Sequence, residues 1–374
     1  MKILIINDIV QGGGVERVMQ DIVSHLCQTA VQTTVLCLNS KRKEMHRVFP
    51  PQVTCMSLNP AAGRGYRFHI IRKLHDIWKK IVIYKVARQK WDVVLAIKEG
   101  PSMKVAAMIP AARKFAWVHV DYRFLYWTKH VFASAEEERM LMQHFDAVVC
   151  VSQAAADSVR CVIGDPGNLC VRYNPLDASG IRKKALLDTV SKDSARPRFV
   201  AVGRLVDQKN FLMLVHCAIK LLQEHDFELH IVGEGPQHEM LQSMITKAGF
   251  QNNIKLLRFQ ANPYPYIKSA DWFVNVSVWE SYGLAVQEAL ILGVPVIATR
   301  CPAIDEVCDA RCCILLDNEE NAFIEGMRKV LDNPALTDEY KASIQTFYPD
   351  VEELYNARIE AITQLWNKSD EDKT

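Results

Sequence analysis

The 374-residue sequence predicts an α/β protein made of two doubly wound, parallel-sheet domains facing a central cleft. Three observations carry this. Short apolar strand-like runs alternate with helical spacing along the whole chain. A polar span at 178–197, with no strand pattern, splits the alternation into two series. The chain is also too long for one core and suits two. No period of 20–50 residues recurs, which excludes a solenoid.

Residues 2–6 open the first domain, 1–177, as an unbroken β-prone strand. The turn Gln11-Gly12-Gly13-Gly14-Val15-Glu16-Arg17 follows. Val15, Val18, Met19, Ile22, Val23 and Leu26 then repeat at helical spacing. A dinucleotide fingerprint needs glycine where Arg17 stands, so that motif fails. Gly13 and Gly14 still let a backbone approach a ligand closely. Further strands are expected at 31–38, 53–56, 91–97, 115–118 and 147–151, the fourth leading into His119-Val120-Asp121. Ser152 is placed to cap a helix, and Asn174-Pro175-Leu176-Asp177 closes the domain with a turn.

Residues 64–90 form a basic amphipathic helical region, nine Lys and Arg against the single acid Asp76. Its Trp and Tyr near the apolar face suit an anionic membrane surface. An ordinary surface helix docked on its own sheet is the other reading of that pattern.

The second domain, 198–349, repeats the scheme. Strands are expected at 199–202, 228–232, 254–257, 272–276 and 294–298, with helices after Asn210, at 238–248, at 265–269 and from Gly283 to Leu292. Residues 351–366 read as a last helix, and 350–374 is expected to pack back on the first domain. The loops 203–209, 233–236 and 280–283 each follow a strand, so a parallel sheet brings them to one edge, where such sheets bind ligands. Glu280 and Gly283 then precede a helix N-terminus, which favours anions.

Net charge is +2, unevenly spread: residues 1–180 hold 24 Lys+Arg against 15 Asp+Glu. The first half therefore suits an anionic partner, and nothing points to nucleic acid. Eleven cysteines without a C-x-x-C pair suggest reduced thiols, hence a cytoplasmic protein, peripheral on the inner face of the plasma membrane. Cys308, Cys312 and Cys313 lack a histidine at zinc spacing, so no metal is expected. The opening apolar run is too short for a signal peptide, and no stretch is long enough to span a membrane.

Arg204 and Lys209 place two cations at the second domain's loop edge, suited to a diphosphate. Glu280 and Glu288 are poor phosphate ligands but good acceptors for sugar and ribose hydroxyls. Either glutamate alone fits a solvated helix face; the four residues with Gly203, Gly233 and Gly235 describe a nucleotide-sugar site.

Here the chain resembles the retaining glycosyltransferases of family 4, with the GT-B fold, over nearly its whole length. The match is carried by Gly203-Arg-Leu-x-x-Gln-Lys-Asn210, Val232-Gly-Glu-Gly-Pro236, and Glu280-x7-Glu288 followed by Gly293-Val-Pro-Val296. Looser matches are Gly12-Gly13-Gly14-Val-Glu-Arg17, His119 with Asp121, Val151-Ser152 and Asn174-Pro175. The resemblance implies that Arg204 and Lys209 hold the donor diphosphate, that Glu280 positions the sugar and that Glu288 binds ribose. It puts Gly233, Glu234 and Gly235 at the donor and gives the backbone of Ser281, Tyr282, Gly283 and Leu284 to sugar and phosphate. It sets Gly13 and Gly14 near phosphate or acceptor, and His119 toward the sugar.

Ser281 departs from the family's usual glycine and narrows donor choice. The expected reaction is metal-independent, retaining hexosyl transfer without a cofactor. Its donor is a nucleoside-diphosphate sugar, UDP-linked by preference. Its acceptor is a glycan or polyprenyl-linked glycan of cell-surface polysaccharide, capsule or lipopolysaccharide synthesis. A nucleotide-sugar epimerase and a non-catalytic nucleotide-sugar-binding subunit are the alternatives.

Overall fold

The computed structural model describes residues 1–10, 13–59, 69–188, 190–192, 196–347 and 351–367. It forms two compact units: Met1–Leu176 together with the chain from Asn356 on, and Asp177–Tyr355.

Unit 1 is built on β1 (Lys2–Asn7), β2 (Gln32–Cys37), β3 (Thr54–Ser57), β4 (Val93–Ala96), β5 (Arg113–Val118), β6 (Ala147–Cys150) and β7 (Leu169–Val171). They form one parallel sheet in the order β3-β2-β1-β4-β5-β6-β7. Every residue of β4 and five of six in β1 are buried, as expected of parallel strands covered on both faces.

Unit 2 has β8 (Arg198–Val202), β9 (Glu228–Val232), β10 (Ile254–Leu256), β11 (Trp272–Asn275), β12 (Val296–Thr299) and β13 (Cys313–Leu316). Their parallel order is β10-β9-β8-β11-β12-β13. Its core gathers Phe199, Leu214, Phe227, Trp272 and Phe323, with the Phe199 and Phe227 rings edge to face at 5.4 Å.

In both sheets the winding reverses beside the first strand, between β1 and β4 and between β8 and β11. Open α/β sheets leave a crevice for ligands at such points.

Two strands were not foreseen. β7 and β13 are short edge strands with little or no full burial; β7 has only three residues, while β13 is apolar at all four positions. The span 178–197, expected as a linker, instead gives unit 2 the helix Ala178–Lys184. The Asp177 carboxylate caps it by accepting the Gly180 N–H at 2.8 Å. It packs on the helices Tyr264–Lys268 and Leu284–Ile291.

The last helix, Val351–Asn367, buries Ile359, Ile362 and Trp366. It is tied within unit 1 by Arg172 donating to the Ala361 carbonyl and Arg358 to that of Asn174. The basic region expected at 64–90 contains the helix His69–Ala87, its residues 64–68 lying outside those described. Val82 and Val86 face inward there, whereas Trp78, Ile81 and Tyr84 are exposed.

Candidate functional site

The site in unit 2 is assembled from the loops that leave the adjacent strands β8 and β11. After β8 the chain passes Gly203 and makes a 3-10 turn over Asp207–Lys209. Asn210 then starts the helix Phe211–Leu221 in the left-handed region, φ 50°, which asparagine tolerates better than most residues. After β11, the Val278 N–H donates to the Gln208 carbonyl at 2.9 Å, and Gln208 Nε2 donates to the Trp279 carbonyl at 3.1 Å.

Those two bonds clamp one loop to the other, and the next residue of each completes the junction. Lys209 Nζ donates to Glu280 Oε1 at 2.5 Å. The same oxygen accepts from Ser277 Oγ at 2.8 Å and Asn275 Nδ2 at 3.2 Å. Glu280 is buried, which pushes its pKa up; the Lys209 charge and the three hydrogen bonds outweigh burial and hold it below the ordinary glutamate value. An ammonium and an ionised carboxylate thus share the mouth of the switch point.

The glycines have a packing role that the sequence did not disclose. A Cβ on Gly235 would lie 2.5 Å from the Leu205 carbonyl oxygen, so the β9 loop rests directly on the β8 loop. Glu234 takes part through its backbone, accepting the Leu205 N–H at 2.9 Å, while its carboxylate meets Arg258 in solvent. Gly283, at φ 72°, starts the helix Leu284–Ile291, whose first amides have no partner within the helix. Ser281 is half-buried; Tyr282 is buried, its carbonyl accepting from Gln287 Nε2 at 3.3 Å.

The four charged residues grouped by sequence are not one hydrogen-bonded set. Lys209 and Glu280 meet. Glu288 lies a little over one turn into its helix and accepts from the buried Tyr264 hydroxyl at 3.0 Å. Arg204 is exposed to solvent.

Unit 1 places chemistry at its own switch point, much of it unforeseen. Just past β1, Asp8 accepts from Ser102 Oγ at 2.6 Å; burial raises its pKa, against the Ser102 bond and the Lys98 charge. Past β4, the fully buried Glu99 accepts from the His119 backbone N–H and from Trp127 Nε1, both at 2.9 Å. Burial raises the Glu99 pKa as well. His119, past β5, is buried, and its pKa falls to about 3 through desolvation, so the ring is neutral. The ring is hydrogen-bonded to the Ile97 backbone while the buried Nε2 has no partner, so by elimination Nδ1 is the donor and Nε2 of the neutral ring is left an acceptor.

Asp121 is engaged by Arg123 through both carboxylate oxygens. Gly13 precedes the helix Gly14–Leu26 in extended conformation; Gly12 lies outside the described residues. No group of metal-binding side chains occurs among the described residues. None of their helices is long and apolar enough to cross a membrane.

Two Rossmann-like units, one presenting a cation and a carboxylate at its switch point, define an α/β protein of the GT-B class. Comparison with known proteins makes this specific. The pattern described as Glycosyltransferase Family 4 matches residues 12–179, and that described as Glycosyl transferases group 1 matches residues 196–333. The chain belongs to this glycosyltransferase family.

One relative is N-acetylgalactosamine-N,N'-diacetylbacillosaminyl-diphospho-undecaprenol 4-alpha-N-acetylgalactosaminyltransferase of Campylobacter jejuni, 29% identical over 47% of this chain and 48% of that one. Another is the UDP-Gal:alpha-D-GlcNAc-diphosphoundecaprenol alpha-1,3-galactosyltransferase of Escherichia coli, 23% identical over 71% and 73%. The chain spans about half the length of the first of these. Anabaena HepE in complex with UDP-glucose has the same fold, with a TM-score of 0.75 at 17% identity over 97% of this chain and all of that one.

Proposed function

We propose that the protein transfers a sugar, with retention, from a nucleoside-diphosphate sugar to a hydroxyl of a lipid-linked glycan in cell-surface polysaccharide synthesis. The observation that carries this is the Lys209–Glu280 pair across the β8/β11 switch point. Breaking an anomeric C–O bond leaves negative charge on the diphosphate and positive character on the sugar. Lys209, the exposed Arg204 and the amides starting at Leu284 answer the first. The ionised Glu280 offers acceptor oxygens to sugar hydroxyls, and Glu288, fixed by Tyr264, offers them to the ribose.

In unit 1, the free lone pair on His119 Nε2 suits a sugar hydroxyl. The UDP and undecaprenyl-diphosphate chemistry of the relatives favours a UDP-hexose donor and a polyprenyl-diphosphate-linked acceptor. Exposed Trp78, Ile81 and Tyr84 on a basic helix favour contact with the anionic inner face of the plasma membrane over simple docking on the sheet. With protein cations at the leaving group, the reaction runs without a metal.

The test is a thermal-shift panel of UDP-, GDP- and ADP-sugars, followed by UDP release in the presence of EDTA and the E. coli relative's acceptor. Stabilisation by UDP-sugars and acceptor-dependent release support the reading. Conversion of UDP-sugar without acceptor would reveal an epimerase, and binding without turnover a non-catalytic subunit.

A further inference from the structure

The switch point of unit 1 holds a cation that the donor chemistry above does not use. Lys98 lies two residues past the end of β4, and its Nζ sits 5.0 Å from the centroid of the Trp127 ring. That ring is itself fixed. Its indole N–H donates to Glu99, and its edge lies so close to Gly100 that a Cβ there would be 2.6 Å from it, at φ 88°. An aromatic platform held in this way sets the position of the ammonium above it.

The carboxylates nearest in charge to Lys98 are occupied by other donors. Asp8 accepts from Ser102, and Glu99 accepts from His119 and Trp127. Neither forms an ion pair with Lys98 within 4.0 Å, although both feel its charge. The half-buried ammonium therefore rests on a π-face and is not neutralised by a described carboxylate. A second feature lies beside it, the acceptor atom given above to a sugar hydroxyl. The His119 ring is bonded to the backbone of Ile97, the residue before Lys98, and its buried Nε2 has no partner. The Lys98 charge reaches the His119 ring, so a cation and an acceptor lone pair are both held at the strand ends of β4 and β5.

We propose that Lys98, seated on Trp127, binds an anionic group of the acceptor, a phosphate or a sugar carboxylate, while His119 accepts from a neighbouring hydroxyl. This deepens the transferase reading and rests on it. Glu99 is a positioning residue that holds both Trp127 and the His119 turn.

Binding to the full chain is measured by calorimetry with three probes: octyl-diphosphate-linked N-acetylglucosamine, octyl glucuronide and the neutral octyl N-acetylglucosaminide. Lys98→Met should weaken at least one anionic probe about tenfold, the order expected for one hydrogen bond to a charged group. Lys98→Arg should restore it, and the neutral probe should bind all three proteins alike. The probe that responds separates phosphate from carboxylate.

Equal binding of both anionic probes to wild type and Lys98→Met, or no binding to wild type, would overturn the proposal. UDP is titrated in parallel. Its failure to bind wild type would remove the donor site assigned above, while the octyl probes still decide Lys98. Unchanged UDP affinity in Lys98→Met shows that the variant is folded.

Discussion

Gly233 and Gly203 touch backbone to backbone: a Cβ on Gly233 would fall 1.8 Å from the Gly203 carbonyl oxygen. The Gly203 N–H meanwhile donates to Val232, and the Gly233 N–H to Arg258. The loops after β8 and β9 are therefore one packed layer beneath the Lys209 turn. No rotamer change relieves a clash with backbone.

Gly233→Ala is accordingly expected to shift the whole β9 loop. Overpacking costs about 1–3 kcal/mol, and the φ of 155° adds strain. Chemical denaturation should show a loss at the upper end of that range or beyond. Gly249→Ala, where a Cβ meets nothing within 4 Å, has positive φ without the clash and should cost less. Equal losses would show that packing between the loops is not what requires glycine at 233.

Removing one partner of a buried ion pair leaves the other uncompensated, at about 3–5 kcal/mol. Lys209→Met should therefore destabilise unit 2 strongly, because Glu280 keeps its charge in a buried place. Lys209→Met with Glu280→Gln should recover much of that stability, since Ser277 and Asn275 can still bond the amide. It should recover no transfer activity. A double-mutant cycle in urea, with UDP release read on the same proteins, checks both halves. Activity in the double variant would show that the pair is structural only.

Stability should fall on acidification, with His119 as one cause. Its folded pKa, about 3, lies below the unfolded value near 6.5, so the unfolded chain binds the extra proton between those limits. That contribution is fully present above about pH 6.5 and lost as pH falls toward 3. One pKa unit is worth about 1.4 kcal/mol, so the loss reaches several kcal/mol. His230, lowered to about 4 by burial, acts in the same direction. Unfolding free energy measured from pH 7 to 4 should decline less in His119→Gln than in wild type. Parallel curves would remove His119 from this account.

The Tyr264 hydroxyl fixes Glu288, which the proposed reading gives to the ribose. Tyr264→Phe should raise KM for the UDP-sugar about tenfold while changing kcat little, the pattern of lost uniform binding. A fall in kcat with KM unchanged would place Glu288 in the chemical step instead.

Much of this was legible because parallel sheets write themselves plainly. The apolar runs of β1, β8 and β11 and the glycine loops after them marked where a site would form. Lys209 and Glu280 could be named because each closely follows such a strand. Their bond could not be read, since the residues are 71 apart and meet only because β8 and β11 are neighbours. Glu99 was missed for a related reason. One acid after a strand has no periodic signal, and its partners His119 and Trp127 come from later turns. The glycines at 233 and 235 were visible as residues, but their clash partners belong to another loop. Edge strand β7 is three residues long, too short a run to register, whereas β13, apolar at all four positions, was legible in the sequence and missed.

The central claim is that the β8/β11 switch point holds the donor. Hydrogen exchange of the full chain with and without a saturating UDP-sugar tests it most directly. Added protection at 203–210 and 276–286, present in wild type and absent in Lys209→Met with Glu280→Gln, is the result predicted here. Protection confined to other segments, or equal in the two proteins, would contradict it.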